Sequence, residues 1–169
     1  MKTLNEIKIS ENLKYHIENG ISLSECIFRY GSDAHIDLLK EARELYNKGQ
    51  LLLEGRDKTI ASLKTGEPAI YKGRKVKLHL PQYDSDSDKK FVVYLESDKK
   101  DEESGLPIAK TVRFGDPKLK IKNNDKEAAD NFQARHQCDT KTDINAAGFW
   151  SCNIHIFHKE LNLSSSYPW

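Results

Sequence analysis

The apolar positions fall into two regimes, one spaced as on helices and one alternating as on strands. In the first sixty-odd residues the spacing is helical. Ser10 stands at an N-cap position, Leu13 and Ile17 recur four apart, and Gly20 ends the run. Ser22 and Glu25 then have capping-box spacing, followed by an apolar face of Cys26, Ile27 and Tyr30 up to Gly31. The clearest helix opens at Ser32-Asp33. It carries Ile36, Leu39, Ala42, Leu45 and Tyr46 on one side, has Glu41, Arg43, Glu44 and Lys48 on the other, and stops at Gly49. The three short helices predict a helical unit over residues 1–66.

From Ala69 the period becomes two. Ile70-Tyr71, a Lys72-Gly73 turn, and Val76, Leu78 and Leu80 alternating with Lys75, Lys77 and His79 predict a hairpin closed by Pro81. Asp84 to Asp88 predicts a solvated acidic loop. It opens like a calcium loop but has Lys89 and Leu95 where such loops need Gly and Glu. Phe91, Val93 and Leu95 alternate with Val92 and Tyr94 and predict a strand. A polar tip from Ser97 to Gly105 and a return strand over Ile108 to Phe114 complete that hairpin. Gly115-Asp116-Pro117 should end it, since Pro117 cannot donate to a ladder and biases Asp116 away from helix. Leu119 and Ile121 between Lys118, Lys120 and Lys122 predict a short strand with a basic face. Asn124 to Glu127 predicts a helix start, and that helix, through His136, is the expected cover of the sheet. Ile154 and Ile156 around His155 predict a last strand, ahead of a tail ending in Tyr167-Pro168-Trp169. The expected fold is α+β: the short-helix unit 1–66, then a small antiparallel sheet covered by one C-terminal helix over residues 67–169.

Composition narrows the function classes. The 169 residues suffice for one core, but 37% hydrophobic against 31% charged content points to small modules with charged connections. A net charge of +1 sets up no global field, so recognition of a polyanion would need a local cluster. No apolar run approaches the length of a membrane span, and Met1 to Glu6 carries no secretory pattern, so the expectation is a protein made in a cytoplasm without a membrane partner.

Three cysteines leave at least one unpaired within a monomer. For Cys138 and Cys152 three readings stand open. One is a disulfide around a loop of about 15 residues, worth roughly 3 kcal/mol. Another is a zinc site made by His136, Cys138, Cys152 and His155, with His158 as a neighbouring substitute. The third is a pair of packed thiols. A His136–Cys138 nucleophile lacks a readable third group, and no catalytic residues are assigned. His16 and His35 read as ordinary surface or boundary residues. Arg113, Lys118, Lys120, Lys122 and Arg135, with Phe114 and Phe132 among them, are candidates for binding a polyanion such as nucleic acid.

Phe114-Gly115-Asp116, Ala134-Arg135-His136 with Cys138, and Trp150-Ser151-Cys152 together resemble the C-terminus of a family of small tailed-bacteriophage proteins, especially from marine phages. Ile27 to Ser32, Glu41 to Tyr46 and Ile70 to Gly73 are similar to the same family, so the likeness spans most of the chain. It implies a virion or head-assembly component with capsid, portal or neck proteins as partners, present in the host cytoplasm during assembly and then in the virion. It implies no catalytic residues. The runner-up is a zinc-tied module that binds nucleic acid or a host protein.

Overall fold

A computed structural model describes residues 8–23, 32–119, 126–157 and 159–162. Among the described residues three helices lead the chain: α1 (Glu11–Glu18), α2 (Asp33–Asn47) and α3 (Gly55–Ala61). Ser10 and Ser32 cap the first two, their hydroxyls accepting from the backbone N–H of Leu13 and His35. The capping box at Ser22 to Glu25 lies largely outside the described residues. Leu13 on α1 and Leu38, Leu39, Ala42 and Leu45 on α2 are buried along one side of each helix, as the helical period requires.

Five strands follow: β1 (Pro68–Tyr71), β2 (Arg74–Lys77), β3 (Gln82–Tyr83), β4 (Phe91–Lys100) and β5 (Pro107–Phe114). Lys72 and Gly73 both take positive φ, 47° and 75°, and join β1 to β2 through the two-residue turn that matches strand twist. The sheet runs β2-β1-β5-β4-β3. It is mixed rather than purely antiparallel, because the two hairpins meet through β1 and β5, which run in the same direction where Ile70 faces Ile108. Leu78, just past β2, also bridges Tyr94 of β4, so the sheet curls back around Ala69, Leu78, Tyr94 and Ala109.

The chain then forms α4 (Lys126–Arg135), a 3-10 turn at Cys138–Thr140, α5 (Ala147–Asn153) and a further 3-10 turn at Ile154–Phe157. The fold is therefore α+β, with helices before and after the sheet. Three details differ from the expectation. The helix that packs on β5 is α5, while α4 lies chiefly against the Cys138 turn. The segment around Ile154 is helical, because a 3-10 turn places Ile154 and Phe157 on one side and buries both. Leu119 lies in an exposed bend and is not part of a strand; Lys120 to Asp125 lie outside the described residues.

Phe91, Val93 and Leu95 on β4 share a continuous core with Leu13, Leu38 and Leu45 and with Phe149 and Trp150. Units 1–66 and 67–169 thus bury their apolar faces against each other. Trp150 is wholly buried and its indole N–H donates to the carbonyl of Ile144 at 2.7 Å, so the largest core side chain leaves no donor unpaired.

Gly115 closes β5 at φ 79°, and a Cβ there would come within 3.1 Å of the Phe91 ring and 3.2 Å of Lys90 Cβ. Gly105, at φ 70°, has open space around it. Gly115→Ala should therefore cost about 1–3 kcal/mol in urea unfolding and Gly105→Ala distinctly less, since only the first adds a steric clash to backbone strain.

Candidate functional site

The corner Phe114-Gly115-Asp116-Pro117 and the start of α5 border an open groove of about 620 Å³. Gly115, Ala147 and Gly148 make part of its lining small, and Ser151 supplies a hydroxyl. Lys89, Arg113 and Lys118 line it together with Asp88 and Asp116, so its charge is mixed. The backbone N–H of Lys118 donates to Asp116 Oδ1 at 2.8 Å, which fixes the corner. No imidazole is among the lining residues, and Ser151 has no base beside it there. The groove can hold a polar ligand or a peptide, but it contains no nucleophile paired with a base.

The polyanion candidates scatter. Arg113 and Lys118 reach the groove, but the Arg113 guanidinium is engaged: Nε donates to Asp84 Oδ2 at 2.8 Å and Nη1 to Thr111 Oγ1 at 3.1 Å. Arg135 is exposed at the end of α4, and Lys120 and Lys122 lie outside the described residues. The acidic loop is solvated as expected from Ser85 to Lys89, but Asp84 at its start is not. The Asp84 side chain is only 3% exposed. Burial pushes its carboxyl up, yet hydrogen bonds from Ser87, the Asp86 N–H and Arg113 outweigh that and hold it below the usual range.

The four proposed zinc ligands part company. Cys138 and Cys152 are joined as a disulfide, with Cα atoms 5.5 Å apart, and both are buried. Of the three readings open for these sulfurs, the structure takes the bond. Each sulfur is then spent and neither is a thiolate, the form zinc binds. His136 is exposed beside the Phe132 ring at 4.3 Å, whereas His155 is buried and stacked on His35 at 6.0 Å. Among the described residues no three His, Cys, Asp or Glu side chains form a group suited to a metal.

Two features escaped the sequence. First, His16, His35, His79 and His155 are all buried, which corrects the reading of His16 and His35 as surface or boundary residues. The His16 ring donates from Nδ1 to the Asn12 carbonyl at 2.8 Å, and the His35 ring from Nε2 to the Leu23 carbonyl at 2.9 Å. His79 instead accepts at Nδ1, from the backbone N–H of Lys64 at 2.8 Å, which requires that nitrogen to be unprotonated. Second, Arg56 is buried and donates from Nε to Asn153 Oδ1 at 2.9 Å and from Nη2 to the Cys152 carbonyl at 3.0 Å. Gln133 on α4 donates to that same carbonyl at 3.3 Å, so α3, α4 and α5 converge on Cys152. The residues around Arg56 gave no pattern from which this contact could be read.

Comparison with family models, with curated proteins and with solved structures returns no match. No helix among the described residues is long and apolar enough to cross a membrane.

Three outcomes follow from this geometry. Thiol titration of the denatured, unreduced chain should find one reactive group among three cysteines. The Cys138→Ala/Cys152→Ala pair should lose about 3 kcal/mol in chemical unfolding, the chain-entropy value for a separation of 14 residues. The His79 imidazole is held down to about 4, chiefly by burial and then by the positive charge of Lys64. Below the unfolded-state value near 6.5, the unfolded chain binds a proton that the folded chain refuses. Its contribution is complete above that pH and is lost as the pH falls toward 4, about 3 kcal/mol in all. Unfolding free energy measured between those limits should fall with acid more steeply in the native chain than in His79→Gln.

Proposed function

We propose that the chain is a virion structural or head-assembly protein of a tailed bacteriophage, acting through protein–protein contacts rather than catalysis. The observation that carries the reading is the buried Cys138–Cys152 disulfide. A cytosol keeps thiols reduced, so such a bond suits a protein that is assembled in a cell and then leaves it in a particle. The likeness of the segments Phe114 to Asp116, Ala134 to Cys138 and Trp150 to Cys152 to small phage proteins points the same way.

The surface supports a binding role. Tyr83 is 54% and Leu119 61% exposed, on the strand and bend that flank the acidic loop and the Gly115 corner. Lys90 lies between them, its amine donating to the Leu119 carbonyl at 2.9 Å, and Tyr83 rests on the Phe91 ring at 5.1 Å. An apolar pair held on a rigid corner with mixed charge around it is the chemistry of a protein contact with a polar rim. Capsid, portal or neck proteins are the proposed partners, met in the host cytoplasm and retained in the virion.

The test is proteomic. The chain should be found in purified particles of the phage that encodes it, at a fixed ratio to the major capsid protein. Absence from intact, gradient-purified particles would overturn the proposal.

A further inference from the structure

Arg43 and Thr65 each hold a buried polar atom, Nε and Oγ1, that makes no hydrogen bond. Both residues line one cavity of about 100 Å³, between α2, Thr65 and the chain after α5. Only one of the five N–H donors of Arg43 has a protein acceptor, Nη2 on the Ile60 carbonyl at 3.3 Å. Among the described residues Arg43 is in no ion pair. Burial alone acts on its guanidinium, pushing it down from its ordinary value with no carboxylate to oppose it. A half-buried cation without a counter-charge is unfavourable unless something else supplies one. Its contact with Ile60 helps close the end of α3, which accounts for Nη2 but neither for Nε nor for Thr65.

We propose that this cavity binds a short aliphatic monocarboxylate, its carboxylate on Arg43 and Thr65 and its carbon chain against the apolar wall. The donor set selects the charge. A guanidinium has no acceptor atom and its planar fork matches a carboxylate, while the threonine hydroxyl can donate to the same group. The wall selects the body. Ile36 and Leu39 from α2 and Ile156 and Phe157 from the later turn line it. Inorganic phosphate, without carbon, would leave that apolar surface uncovered. A cavity of about 150 Å³ admits benzene, so this smaller one takes a chain of roughly three or four carbons. Lys40 and Lys159 are also in the lining, but Asp37 and Asp33 answer them. Glu160, the one carboxylate in the lining, is exposed and makes no ion pair, so the Arg43 charge is not spent on it. Its own charge opposes a second carboxylate on the ligand.

This cavity differs from the earlier candidate, since none of its lining residues borders the Gly115 groove. The inference does not depend on the chain's residence in a particle, because ligand binding is read on the isolated chain.

Proton–nitrogen NMR of the labelled full chain, titrated with butyrate at constant ionic strength and neutral pH, decides it. Butyrate should shift the amide signals of Leu39, Arg43 and Thr65 saturably, with a Kd in the millimolar range set by its few atoms. Butyramide, its uncharged analogue, should bind at least about tenfold more weakly, through loss of the charge-assisted bond. Inorganic phosphate should also bind more weakly, having no carbon for the wall. Arg43→Gln should show the same loss for butyrate, and Thr65→Val, which replaces the hydroxyl by a methyl, a loss of roughly three- to tenfold. Without butyrate, thermal unfolding of Arg43→Met should match or exceed that of the native chain, because an unpaired cation is exchanged for an apolar chain. The inference is overturned by no saturable shift up to about 50 mM butyrate, by equal binding of butyramide or phosphate, or by undiminished binding in Arg43→Gln. A lower unfolding temperature in Arg43→Met would make Arg43 a structural donor to Ile60 and overturn it as well. So would butyrate binding that appears only in Glu160→Gln, which would show Glu160 filling the site.

Discussion

Cys152 is the junction on which the helical half of the molecule depends. Its sulfur is bonded to Cys138, and its carbonyl accepts hydrogen bonds from Arg56 and Gln133. Through this one residue the Cys138 turn, α3 and α4 are held to α5, and α5 packs on β5. Arg56 is buried at this junction, and a buried guanidinium is tolerated only where its donors are used. Its bond to Asn153 is relayed, because Asn153 donates in turn to the Phe149 carbonyl at 2.8 Å. The covalent tie and the polar cluster thus fix the same turn of helix, and that turn presents Phe149 and Trp150 to the core.

The core is apolar on the sheet side and studded with imidazoles toward the helices. His35 and His155 stack at 6.0 Å, and His79 lies 6.2 Å from the Trp150 ring. The hydrogen bonds of His16, His35 and His79 each specify which ring nitrogen carries the proton, so these side chains orient segments as well as fill space. His79 itself has φ 52°, and its backbone N–H donates to the Tyr94 carbonyl at 2.9 Å. The left-handed residue is held from both sides, by β4 and by the Lys64 backbone. This is where the curl of the sheet meets the end of the helical unit, and the geometry there needs a neutral imidazole.

Charge separates by surface. The Gly115 groove carries opposite charges side by side, and exposed Tyr83 and Leu119 lie near the same corner. The turn Lys72 and the edge strand β2, with Arg74, Lys75 and Lys77, carry one sign of charge. The corner thus offers mixed charge beside apolar area, and the edge a single sign of charge. The sheet's rigidity keeps the two apart, because β1 and β5 unite both hairpins into one framework.

The sequence by itself determined the elements whose signal is local. The Ser32-capped helix with Leu39, Ala42 and Leu45 on one face, the Lys72-Gly73 turn, and the alternating Phe91 to Leu95 strand all follow from periodicity and turn chemistry within a few residues. Tertiary structure alone decided the rest. Phe149-Trp150-Ser151-Cys152 has no capping signal and Ile154-His155-Ile156 alternates, so nothing local marks them as helical; burial against β5 and the Cys138 bond does. Asp84 looked like one more solvated acid until Arg113, 29 residues away, met it. The fate of Cys138 and Cys152 was undecidable from spacing, because a disulfide, a zinc site and packed thiols share the same residues. It took the approach of their Cα atoms to 5.5 Å, with His136 left in solvent and His155 turned into the core, to choose the bond. Contacts between residues far apart in the chain leave no periodic trace, and the core and the candidate sites of this protein are built from them.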